Sequence, residues 1–166
     1  TCGLAVPASP TTKIPYIDAF MLRNFSADSP LEGRSSFAVE MIEMRYVLQD
    51  ATKNSLILVD ELGKGTEAKA GSAVAGAMLE KLDKIGCRGI FATHLHSLLD
   101  MKLSIPGTKM MMMEIKDSEN HHQGKNGGRR MRDPVWRMVP GSSTESLALD
   151  VASKCRLPED VIERAE

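Results

Sequence analysis

Two adjacent carboxylates, Asp60 and Glu61, close the apolar run "SLILV", and a glycine-spaced turn, "GKGT" from Gly63 to Thr66, follows them. Burying carboxylates is expensive unless a metal, a donor or water meets them. A hard divalent cation bound to phosphates supplies that compensation. In phosphoryl transfer an acid after an apolar strand holds Mg2+, and a second, adjacent acid can polarise the attacking water. His94 ends another short apolar stretch, "GIFATH", and could hydrogen-bond a terminal phosphate or that water. In "GRSSFAVEM", Gly33 to Met41, two serines stand directly before an amphipathic helix. The free N–H groups and positive dipole end of such a helix favour an anion.

Each feature also has a plainer role. Asp60 could cap the turn with Glu61 solvated, His94 could be a structural donor, and Ser35 or Ser36 an ordinary N-cap. Neither serine has Glu or Gln three residues later, so the reciprocal capping box is absent. "GKGT" alone is only a turn that lets backbone approach another surface closely. A zinc site from Cys87, His94, His96, His121 and His122 is disfavoured, because their spacing matches no tight ligand pairing.

These residues need a frame to hold them. The chain has 166 residues, 42% hydrophobic and 26% charged, enough for one domain with a real core. A net charge of -1 gives no global pull toward nucleic acid or an anionic membrane. No apolar stretch approaches the ~20 residues of a spanning helix, so no membrane partner is expected. Cys2, Cys87 and Cys155 are odd in number and far apart, which reads as reduced, buried thiols. Lys125, Arg129, Arg130 and Arg132 cluster, but no aromatic residue interleaves to offer a stacking platform, so a solvated loop is expected.

"AFMLRNF", Ala19 to Phe25, suggests a strand. From Ser36 the period becomes helical, with Phe37, Met41, Met44 and Leu48 on a stripe and Glu40, Glu43, Arg45 and Gln49 mostly off it. Leu56 to Val59 is too short for a helix and fits a strand covered on both faces of a parallel sheet. Gly71, Val74, Ala75, Met78, Leu82 and Ile85 mark one face of a second helix, ended by Gly86. Gly89 to His94 reads as another buried strand. This alternation predicts an α/β domain with a mostly parallel sheet and flanking helices. "KMMMMEI" and "PVWRMVP" read as two antiparallel edge strands around a glycine-rich loop. "STESLALDVASKC" and "LPEDVIERAE" read as two closing helices, the second opening with Pro158, whose missing N–H costs nothing there.

Taken in order, "GRSSFAVEM", "SLILVDELGKGT", "IFATH" and "PEDVIERA" resemble the ATPase domain of the MutS family of mismatch-recognition proteins, a P-loop NTPase fold of ABC-ATPase type. "THLHSLL" and "TESLAL" resemble the plant-organelle branch. The resemblance implies ATP and Mg2+ as cofactors. Asp60 would be the Walker B acid, binding Mg2+ through water, and Glu61 would position the hydrolytic water. His94 would be the switch histidine. Ser35, with Ser36 beside it, would reach the γ-phosphate held by the other subunit. Gly63, Lys64, Gly65 and Thr66 would form a turn facing the dimer partner. It further implies a homodimer or heterodimer with another MutS-like subunit, and mismatched double-stranded DNA engaged through domains absent from this chain. By it, residues 1–142 are the ATPase portion, with 117–134 a flexible loop, and 143–166 a truncated helical dimerisation element.

One departure stands out. The family's phosphate loop, G-x-x-x-x-G-K-S/T, is absent: Gly63-Lys64 is followed by Gly65, and Gly124-Lys125 by Asn126. That loop and its strand lie just upstream of "LAVPA" in the family. The chain opens on Thr1 rather than Met and stops inside a helical run at Glu166, so both ends read as cut and the domain as N-terminally truncated. The isolated chain is expected to bind ATP poorly and not to hydrolyse it. Competing readings are a non-catalytic dimerisation module that has lost its phosphate loop, and another ABC-type ATPase of chromosome maintenance. The compartment stays open: nucleus or organelle in a eukaryote, cytoplasm in a bacterium.

Overall fold

Three short apolar segments pair side by side in the computed structural model, which describes residues 8–24, 35–117 and 132–165. They are β1 (Phe20–Arg23), β2 (Leu56–Asp60) and β3 (Arg88–Ala92), ordered β1-β2-β3. Both pairings are parallel, with Phe20 opposite Leu56, Leu22 opposite Leu58, and Asp60 opposite Ala92. The connections are helical: α1 (Ser36–Asp50) precedes β2 and α2 (Ala68–Ile85) precedes β3. The fold is therefore α/β, with the strands and helices in the order the periodicity predicts.

The core lies on one face of this sheet. Met44 and Val47 of α1, Ala75 and Leu82 of α2, and Ile57, Val59 and Leu62 are buried together. Burying each of the larger side chains contributes roughly 1.5–3 kcal/mol. Successive strand residues point to opposite faces, so Phe20, Leu22, Leu58 and Ile90 lie on the other face and stay exposed. This corrects the expectation that Leu56 to Val59 is covered on both sides: both helices take the Ile57–Val59 face.

Helix boundaries follow their caps. Ser35 caps α1 by accepting the Ala38 N–H at 3.3 Å. Glu67 caps α2 by accepting the N–H groups of Lys69 and Ala70, each at 3.1 Å. Gly86 ends α2 in the left-handed conformation at φ 75°, as its identity predicts. The α1 stripe departs from expectation. Glu40 is buried beside Met44 and Val47, whereas Phe37, Met41 and Leu48 are only half-buried. A carboxylate tolerates that place because Arg23 neutralises it and the Gly63 N–H bonds it.

The described chain divides into two compact units, Thr1–Gly107 and Thr108–Glu166. In the second, β4 (Met111–Asp117) and β5 (Arg132–Pro140) pair antiparallel. They form a two-stranded sheet of their own rather than edges of the parallel one. Asp117 and Arg132 to Pro134, expected within a loop over 117–134, belong to these strands, and residues 118–131 lie outside the described ones. The helix expected from Ser143 starts later, as α3 (Ala148–Lys154). Ser143 and Ser146 instead accept the N–H groups of Glu145 and Ala148, a local turn that competes with helix. The last helix, α4 (Glu159–Ala165), follows Pro158, whose carbonyl accepts from Val161 and Ile162. α3 is locked to β5 by buried Asp150, which accepts the Arg132 N–H at 3.1 Å. The division between the two units falls after Gly107. Among the described residues no helix is long and apolar enough to cross a membrane.

Candidate functional site

The carboxyl end of β2 delivers both acids where the sheet stops. Asp60 is still in register, opposite Ala92, and its side chain is exposed. Glu61 turns the chain: its φ is 50°, a region non-glycine residues seldom adopt, and its N–H donates to Ala92 O at 2.9 Å. That conformation costs on the order of 1–3 kcal/mol, and such costs concentrate at functional sites. It carries the Glu61 carboxylate out to Lys64 and His94. Lys64 Nζ donates to Oε2, and His94 Nδ1 stands 3.5 Å from Oε1.

The Lys64 hydrogen bond, with the charges of Lys64 and His94, outweighs partial desolvation and holds Glu61 below the usual carboxylate range. The pair is over a third exposed, so water screens it and it adds little to stability. Its consequence is chemical: an ionised carboxylate fixed in place.

The turn after Glu61 is packed by its backbone. Gly63 has φ 88°, and a Cβ there would sit 2.9 Å from Gly71 O on α2. A Cβ on Gly65 would sit 2.7 Å from the Phe37 nitrogen and 2.9 Å from Ser36 Oγ, at the start of α1. The glycines therefore press the turn onto both helix N-termini, with Lys64 left exposed and Thr66 half-buried beside Gly71. Ser35 Oγ accepts the Ala38 N–H and keeps its own proton to donate. Gly33 and Arg34 lie outside the described residues.

The structure thus gathers Glu61, Lys64 and His94, sets Asp60 next to them, and brings Ser36 against Gly65. Among the described residues no three His, Cys, Asp or Glu gather as a metal site. The two acids suit Mg2+, which keeps several waters and takes one or two carboxylates plus phosphate oxygens. His96 begins a 3-10 turn, His96–Leu99, and its N–H donates to His94 O at 2.9 Å. Burial pushes the Cys87 thiol up, away from reactivity. His121, His122, Lys125, Arg129 and Arg130 fall outside the described residues. Arg132, expected in a solvated basic cluster, pairs with Glu145 and Asp150. A surface cavity of about 410 Å³ between Glu114, Ile115 and Ser142 to Glu145 contains none of the acids singled out from the sequence.

Two participants were not marked by the sequence reading. Arg23 at the end of β1 and Glu40 on α1 are each 1% exposed, and Glu40 reaches the acid turn. The available signal was spacing: Glu40 lies four residues after Ser36 and therefore on the same helix face.

The family model for MutS domain V matches residues 1–166. The chain is 40% identical over 164 residues, 99% of its length, to the mitochondrial DNA mismatch repair protein MSH1 of Arabidopsis thaliana. It is 35% identical over 165 residues to the DNA mismatch repair protein MSH2 of Saccharomyces cerevisiae, and 35% over 164 residues to the DNA mismatch repair protein MutS of Macrococcus caseolyticus. The chain covers 14%, 17% and 18% of those relatives, a small part of each. A match over every residue, with the acid pair at the end of a parallel strand, identifies the chain as a member of the MutS domain V family.

Proposed function

We propose that this domain is the nucleotide-handling part of a DNA mismatch repair protein, in which Asp60 and Glu61 serve ATP hydrolysis where two such domains meet. The observation that carries the reading is the acid pair at the carboxyl end of the middle parallel strand, with Glu61 kept ionised by Lys64 and His94. Ligands of open parallel sheets bind beyond that end.

Asp60, exposed and adjoining, would hold Mg2+ through water. The cation, when bound, supplies neutralisation of charge on the phosphate oxygens. Glu61 orients the attacking water and accepts its proton, and His94 stands ready to donate toward a phosphate oxygen. Ser35 offers its remaining O–H to the γ-phosphate of a partner subunit's nucleotide, with Ser36 beside it. Gly63, Gly65 and Thr66 shape the turn between them. A second MutS-like subunit, identical or not, and mismatched DNA reached through other domains complete the proposal. The named function of the relatives supports it.

In the intact protein that carries this domain, Glu61→Gln should lower ATP turnover about 10²–10⁴-fold in a phosphate-release assay. Nucleotide binding should persist. Unchanged turnover would overturn the assignment. A non-catalytic dimerisation module is the second reading. No turnover by the unmodified intact protein would favour it.

A further inference from the structure

We infer that Glu40 is a positioning residue for the acid turn: its buried carboxylate joins Arg23 of β1 to the Gly63 backbone, so that β1, α1 and the turn move as one body. Glu40 Oε1 lies 3.0 Å from Arg23 Nη2, and Oε2 accepts the Gly63 N–H at 3.0 Å. Arg23 Nε lies 3.0 Å from Glu43 Oε2, on the next turn of α1. Arg23 and Glu40 are each 1% exposed, whereas the Glu43 side chain is 45% exposed. The guanidinium contacts are ionic rather than aligned hydrogen bonds. The bond to Gly63 is therefore the well-directed contact that Glu40 makes.

A buried ion pair is a poor source of stability, because packed apolar residues of similar volume often hold a core as well or better. What apolar residues could not do is accept the Gly63 N–H, which is otherwise orphaned. Gly63 stands two residues from Glu61. Ser36 and Glu40, one helical turn apart, meet the turn at Gly65 and Gly63 respectively. One face of α1 thus pins both glycines, and Lys64 between them reaches back to Glu61. The carboxylate acts on Glu61 through the backbone and touches no reacting atom. For its kinetic consequence the inference rests on the proposed ATP hydrolysis, whereas the tether itself does not.

Two double variants of the intact protein separate tether from core. Arg23→Met with Glu40→Gln removes the charge pair and keeps an oxygen for Gly63. Arg23→Met with Glu40→Leu removes both. Glu43 remains solvated in each. Both should fold, the leucine variant melting several degrees lower because it leaves the Gly63 N–H unpaired. In the leucine variant kcat should fall about 10- to 100-fold, as expected for a turn misplaced by about 1 Å. KM should change little, and hydrogen exchange at the Gly63 amide should speed by at least about tenfold. The glutamine variant should stay within about threefold of the unmodified protein in both readouts. Equal kcat and equal Gly63 exchange in the two variants would overturn the tether. If the unmodified protein hydrolyses no ATP, the proposed function fails, and Gly63 exchange alone then decides the tether.

Discussion

Replacing Gly71 by Ala tests how tightly the acid turn is seated on α2. In an exposed helix interior this change is favourable by about 1 kcal/mol, because glycine gives up more backbone freedom on folding. Here the added Cβ would point at Gly63 O well inside ordinary contact, with Gly63 C at 3.3 Å and Thr66 Cγ2 at 3.4 Å. The atom in the way is backbone, and Gly63 is held by its φ of 88° and its bond to Glu40. The turn must retreat by roughly 1 Å to reach a normal separation. Overpacking of this kind costs typically 1–3 kcal/mol. With a rigid obstacle the upper half applies, and after the propensity gain about 1–2 kcal/mol of destabilisation remains. That corresponds to a Tm lower by roughly 2–8 °C for a chain of this size. Thermal unfolding followed by circular dichroism reads the shift directly. A Tm equal to or above the unmodified protein's would refute the close seating, because only a turn free to recede lets the propensity gain win.

Acid should act through Asp18, which accepts from the Thr52 hydroxyl and, at 2.9 Å, from Ser55 Oγ. The Thr52 bond is the main cause that holds Asp18 below the usual carboxylate range, against opposing desolvation. A depressed folded pKa means its stabilising share is complete above the unfolded value near ~3.9 and is lost as pH falls through the folded value. Urea unfolding should therefore show the advantage over Asp18→Asn shrinking below about pH 4, and parallel pH profiles would contradict it. At the site, Lys64→Met should raise the Glu61 titration midpoint toward an ordinary glutamate, since Lys64 is the largest cause of its lowering. Carbon-detected NMR titration measures this, and an unmoved midpoint would mean that His94 or the backbone holds the charge.

Much of the candidate site was legible because local rules place it. An apolar run too short for a helix, closed by two acids and a glycine turn, puts Asp60 and Glu61 at a strand end whatever packs around it. Ser35 as a helix start and Gly86 as a helix stop follow from capping chemistry that involves only near neighbours. The parallel order of β1, β2 and β3 follows from helices sitting between them.

Burial and partnership were a different matter. Periodicity set Glu40 among residues mostly off the apolar stripe, yet it is buried, because a carboxylate's place depends on Arg23, seventeen residues away in sequence and 3.0 Å away in space. Leu58 and Ile90 look as buried as Ile57 and Val59 in the sequence, but both helices cover the same face. Lys64 read as one residue of a turn, and only the left-handed bend at Glu61 brings the carboxylate to it. Composition and spacing settle which segments become strands, helices and turns, since those choices rest on interactions within a few residues. Which charges meet, and which side of a strand is dry, depend on long-range packing that no local pattern encodes.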